Sequence, residues 1–179
     1  MEVTRIRALR GPNLWSHHTA IQSIVSLSEA ERSVGKIAGF ETRVRARFPE
    51  IGPFQPTGPD DSIPLVHVLE LAALGLQAQA GCPVTFSCST PTVDPDVYQL
   101  VVEYSQEPVG RLALELAQAL CQAAMDDTPF DLAAALDQLR ELDEDVRLGP
   151  STGCIVDAAV ARNIPFSRMT EGSMVRFGW

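Results

Sequence analysis

An α+β fold, with several helices packed on a small and mostly antiparallel sheet, is predicted by three features of this sequence. Apolar residues recur at helical spacing in five separate stretches. Runs rich in β-branched and aromatic residues are short, and they do not alternate regularly with the helices as the units of a parallel sheet would. The length of 179 residues, 45% hydrophobic and 21% charged, suits one globular domain able to bury a sizeable core without cross-links.

In chain order, Val3, Arg5/Ile6 and Ala8 alternate loosely over residues 2–9 and predict an opening strand, which Gly11-Pro12-Asn13 breaks. An apolar patch follows from Ala20 to Leu27, with Ser28 placed to cap a helix. Phe40, Val44 and Phe48 recur at four-residue spacing, so an amphipathic helix over about 39–48 is expected, with Arg43 and Arg47 on one exposed face and Pro49 as its stop. Residues 49–64 hold Pro49, Pro53, Pro56, Pro59 and Pro64 with Gly52 and Gly58, a loop of the kind that often carries function. Ser62 is then the expected cap of a helix buried through Leu65, Leu69, Ala72, Ala73, Leu76 and Ala80, and Gly81 ends it. Val84–Ser87 and Val97–Tyr104 are strand candidates. A helix opens at Pro108 and runs through Leu112, Leu116, Ala119 and Leu120. Another is expected from a Thr128 cap, with Pro129 first and Leu132, Leu136, Leu139 and Leu142 as its apolar line. A shorter helix over about 152–162 is expected after a Ser151 cap, ended by Asn163 and Pro165. A hairpin of Phe166–Met169 and Met174–Trp179 around Glu171-Gly172 closes the chain.

Charge and motifs exclude several functions. The net charge is −9, which argues against nucleic acid. Residues 1–50 carry +3 and residues 51–179 carry −12, an asymmetry suited to a ligand bearing both signs or to two differently solvated faces. Thirteen arginines accompany one lysine, Lys36, and arginine is the better fork for carboxylates. No apolar run is long enough to span a bilayer and Met1–Asn13 has no signal-peptide core, so a cytoplasmic protein without a membrane partner is expected. Cys82, Cys88, Cys121 and Cys154 follow no zinc-binding spacing. They are expected to be reduced structural thiols, with Cys121 and Cys154 inside apolar helical patterns. No phosphate loop, dinucleotide fingerprint or nucleophile elbow is present. The adjacent Ser16, His17 and His18 make a poor nucleophile–base pair, because neighbouring side chains rarely face one another.

The cluster with most shape is His67-Val68-Leu69-Glu70-Leu71. His67 and Glu70, three apart, share a helix face and can reach one ligand or bond each other. An inverted H-x-x-E-H zinc site needs a second His where this chain has Leu71, so no metal is expected here.

Several segments together resemble the N-terminal domain of cyanophycin synthetases. They are Leu9-Arg10-Gly11-Pro12-Asn13-Leu14-Trp15-Ser16, the helix 65–77, and L-Q-A-Q-A-G-C-P-V-T-F from Leu76. Further on come D-V-Y-Q-L-V-V-E-Y from Asp96, Val109-Gly110-Arg111, Leu148-Gly149-Pro150-Ser151-Thr152, and E-G-S-M-V-R-F-G from Glu171. The resemblance implies a ligase making a nitrogen-storage polymer with an aspartate backbone and an arginine on each β-carboxyl. It further implies an ATP-grasp module and a Mur-ligase-like module as partners in the same parent chain. ATP and magnesium are expected only in those missing modules, and no cofactor in this chain. Residues 1–147 would then be the N-terminal-like domain and 148–179 the lead-in to the ATP-grasp module.

In that family this domain is linked to holding the growing polymer. Some members also resemble H-x-x-E-H zinc hydrolases that trim polymer into primers. The chain departs from the family at Leu71. It departs again in the loop 51–63, where Asp60 and Asp61 stand in place of a more basic, glycine-rich stretch. The expected role is polymer binding, without ligase activity in the isolated chain. A degenerate zinc-dependent hydrolase and a structural or oligomerisation domain are the alternatives, and an oligomer is left open. Arg43 and Arg47 suit two carboxylates along an extended ligand, and Arg111, in the V-G-R segment, is a third fork. Glu70 and Glu103, near apolar residues where an unpartnered charge is costly, are the expected acceptors for guanidinium groups.

Overall fold

The computed structural model describes residues 1–56, 62–170 and 172–178. The expectations for Gly58, Pro59, Asp60, Asp61, Glu171 and Trp179 lie outside the described residues.

Period-two burial builds the larger sheet. In β2 (Ala20–Ser26), Ile21, Ser23 and Val25 are buried on one face, so the apolar patch after the first turn is a strand. β1 (Glu2–Leu9) and β4 (Val97–Glu103) flank it, and β3 (Ser87–Pro91) pairs with the far side of β4. The order is β1-β2-β4-β3, with every neighbouring pair antiparallel. Ser28 opens only a one-turn 3-10 helix, Glu29–Arg32, where its backbone N–H donates to Glu31 Oε2 at 2.7 Å.

The helices cover one face of this sheet. α1 (Phe40–Arg47) buries Phe40 and Val44. α2 (Leu65–Ala80) and α3 (Glu107–Asp126) pack on each other and on the strands, and α4 (Leu132–Val146) closes over them. The shared core runs through Val25, Phe48, Leu69, Leu76, Leu100, Val109, Leu120 and Leu139. Gly81 ends α2 at φ 101°, a conformation that costs glycine little. α5 (Pro150–Val160) and a small hairpin of β5 (Phe166–Arg168) and β6 (Val175–Phe177) complete the chain.

The α+β architecture is as predicted, and several boundaries differ for local reasons. Pro64, not Ser62, precedes the first turn of α2. Asp131, not Thr128, caps α4, accepting from Ala134 N at 3.0 Å. Thr128 belongs to the end of α3, where its N–H donates to Ala123 O at 2.9 Å. Gly149 and Pro150, not Ser151, start α5. The third strand begins at Ser87 because the amides of Thr85 and Phe86 donate to the Glu103 carboxylate instead of to a ladder. Cys121 is fully buried as expected, whereas Cys154 is exposed on α5. Arg47 is not on an exposed face: its side chain is only 12% accessible.

Candidate functional site

Three stretches distant in sequence converge at the N-terminal end of α3. They are the turn from Arg10 to Thr19 between β1 and β2, residues 104–111 leading into α3, and residues 145–170 from the end of α4 through β5. Together they enclose a cavity of about 860 Å³. Gly110 makes the approach possible, since a Cβ there would lie 2.6 Å from the Cβ of Tyr104.

Glu107 is the electrostatic centre of this groove. Arg10 donates from Nε and Nη2 to its Oε2 at 3.0 and 2.9 Å, and Arg111 donates from Nε and Nη2 to its Oε1 at 3.1 and 3.0 Å. Burial pushes the Glu107 carboxyl up, but the hydrogen bonds and charges of Arg111 and Arg10 outweigh it and hold its pKa below the ordinary value. Each guanidinium meets Glu107 along one edge only, so Nη1 of each is not used in the pair. Asp145 adds a carboxylate to the lining. Arg168 ties β5 down, donating to Gln106 Oε1 at 3.0 Å and to the Val146 carbonyl. Tyr104, its phenol pushed up to about 12 chiefly by burial and then by Glu107, stays protonated in the wall.

A smaller cavity of about 160 Å³ adjoins the groove, sharing Thr19 and Phe166 with it. Its other lining includes Gly11, His17, His18, Glu103, Val160 and Ile164.

The structure brings two of the five expected binding residues here, Arg111 to the groove and Glu103 to the smaller cavity. The other three lie elsewhere. Arg43 donates from Nε to Ala124 O at 2.7 Å. Arg47 donates from Nε to Thr128 O at 2.7 Å and from Nη2 to Asp127 Oδ1 at 3.0 Å. Both therefore sit at the C-terminal end of α3, about 20 Å along its axis from Arg111. Glu70 lies beneath β3. Its Oε1 accepts from Ser87 Oγ at 2.9 Å, and its Oε2 accepts from Ser89 Oγ at 2.7 Å and faces His67 Nδ1 at 3.4 Å. Burial raises the Glu70 pKa, but the bonds from His67, Ser89 and Ser87 more than offset it and leave it lowered. Among the described residues no group of three His, Cys, Asp or Glu is placed to hold a metal ion, and Leu71 is partly buried against the core. Arg10, Glu107 and Asp145 went unread as site residues, although the four-residue spacing of Glu107 and Arg111 at a helix start was a usable signal.

Comparison with known proteins relates this sequence to cyanophycin synthetases. The model of the cyanophycin synthase-like N-terminal domain matches residues 59–126, the stretch holding α2, β3, β4 and α3. The cyanophycin synthetase of Trichormus variabilis is 31% identical over 194 residues, a match that covers this whole chain. The chain belongs to the cyanophycin synthase-like N-terminal domain family. The cyanophycin synthetases of a Nostoc species and of Geminocystis herdmanii are 31% and 32% identical, again across the full chain. The chain spans 22% of the length of these relatives. No described helix is long and apolar enough to cross a membrane.

Proposed function

We propose that this chain is the polymer-holding module of a cyanophycin synthetase, and that the aspartate–arginine chain lies in the groove at the start of α3. One observation carries the reading: Arg10 and Arg111 occupy the two oxygens of Glu107 in a groove that also holds Asp145. Each unit of the polymer offers a carboxylate and a guanidinium, so its binder needs forks and acceptors side by side. Glu107 holds Arg10 and Arg111 so that their unused edges meet the carboxylates, and Asp145 and Glu103 meet the guanidiniums. Arg43 and Arg47 act at a distance by securing the far end of α3, and Glu70 by holding α2 to β3.

Residues 148–179 have two roles in this reading. They lead toward the ATP-grasp module and, through β5, wall the groove. Synthesis with ATP and magnesium belongs to the ligase modules of the whole cytoplasmic protein. Exposed charge pairs contribute only about 0.2–1 kcal/mol each, so holding depends on many contacts along a long ligand.

Calorimetric titration of the chain with synthetic aspartyl-arginine oligomers of increasing length tests this. Affinity is expected to rise with length, to fall steeply with salt, and to be unchanged by zinc. Affinity indifferent to length and salt overturns the reading.

A further inference from the structure

Glu103 is gripped by the fold on several sides. Its N–H donates to Phe86 O at 2.9 Å, and its carbonyl accepts from Gln77 Nε2 at 2.9 Å. Its carboxylate Oε2 accepts from the amides of Thr85 and Phe86 at 2.7 and 2.8 Å. The residue is only 6% exposed. Yet Oε1 points the other way, toward the exposed imidazole of His18, 3.5 Å from its Nδ1, at the wall of the small cavity. A buried carboxylate with one oxygen fixed by backbone donors and the other turned to a cavity is a preorganised acceptor for a cation.

The size of the cavity narrows the ligand. About 160 Å³ is well below the roughly 300–1,000 Å³ of sites for whole small molecules, and matches one planar head with the end of its stem. We infer that the cavity over Glu103 is a subsite for a single guanidinium group, which seats one arginine side chain and so sets the register of the ligand in the adjoining groove. That the natural guanidinium belongs to the polymer rests on the polymer-holding reading. The subsite itself rests on Glu103 and its cavity.

The probe is Nα-acetyl-arginine amide, with Nα-acetyl-lysine amide as control, titrated into the labelled chain and followed by amide NMR shifts. The arginine compound is expected to saturate shifts at His18, Thr85 and Phe86, and to bind at least fivefold tighter than the lysine compound. Glu103→Gln keeps an oxygen for the two backbone amides but turns a donor toward the cavity, so it should abolish these shifts. Ile164→Trp, which fills the cavity from a residue already 41% exposed, should do the same without touching the carboxylate, and it carries the test if Glu103→Gln fails to fold. Equal binding of the lysine compound, or arginine binding retained in either folded variant, overturns the subsite. If aspartyl-arginine oligomers still bind while the arginine compound does not, the subsite falls and the polymer-holding reading stands. If the arginine compound binds but no oligomer does, that reading falls and the subsite stands.

Discussion

Glu70 and Glu103 are equally buried, at 6% exposure each, and yet they are opposite kinds of site. Both oxygens of Glu70 face polar partners within the fold, with the hydroxyls of Ser87 and Ser89 and the ring of His67 closing around them. Glu103 has one oxygen held by the backbone, while the other, at a cavity wall, meets among the described residues only the exposed ring of His18 at 3.5 Å. Burial alone therefore does not mark a binding carboxylate. What separates the two is whether the surroundings leave an oxygen facing space. The two ends of α3 repeat the contrast. At the C-terminal end Arg43 and Arg47 are engaged by carbonyls, whereas at the N-terminal end Arg10 and Arg111 line a groove.

The largest effect is expected from Glu70→Ala. It strands two half-buried hydroxyls and a buried imidazole, and should cost about 3 kcal/mol in urea-induced unfolding while oligomer affinity of the folded fraction stays the same. A loss under about 1 kcal/mol would put Glu70 and Glu103 in one class. Next comes replacement of Arg43 and Arg47 together by Ala, which removes cations from the carbonyl end of α3. About 1–2 kcal/mol of stability should go, again with oligomer affinity retained. A drop in affinity without a drop in stability would move the binding face to α1.

Arg111→Ala should do the reverse. Its ion pair with Glu107 is partly exposed, so stability should change by less than about 0.5 kcal/mol, while calorimetry shows oligomer affinity falling several-fold. The smallest effect is in pH dependence. The Glu70 pKa is lowered in the fold from 4.5, so its contribution to stability is present above that value and is lost as pH falls through the lowered one. Unfolding curves from pH 6 downward should show less acid loss in Glu70→Gln than in the parent chain. Parallel curves would remove Glu70 from the account of acid sensitivity.

Much of the fold was legible because its signals are local. The spacing of Phe40, Val44 and Phe48, the stop at Gly81 and the β-branched run of Val97–Val102 each determine an element within a few residues. The boundaries misread at Ser62, Thr128 and Ser151 moved by a few residues to neighbouring caps and prolines, whereas at Val84 a distant group decides, because the Glu103 carboxylate takes the Thr85 and Phe86 amides from a ladder.

The candidate site divides the same way. By itself the sequence determined the α+β class, the family resemblance and the presence of Leu71 where an H-x-x-E-H site needs a histidine, and it offered five charged residues as ligands, of which Arg111 and Glu103 line cavities. Only the tertiary structure decided which charges face a cavity. It set Arg10 beside Glu107 across 97 residues of chain, brought β5 to the start of α3, and closed Glu70, Arg43 and Arg47 into hydrogen bonds within the fold. The physical reason is that a charged side chain's partner is chosen by distance in space, which a linear pattern encodes only for neighbours on one helix or strand.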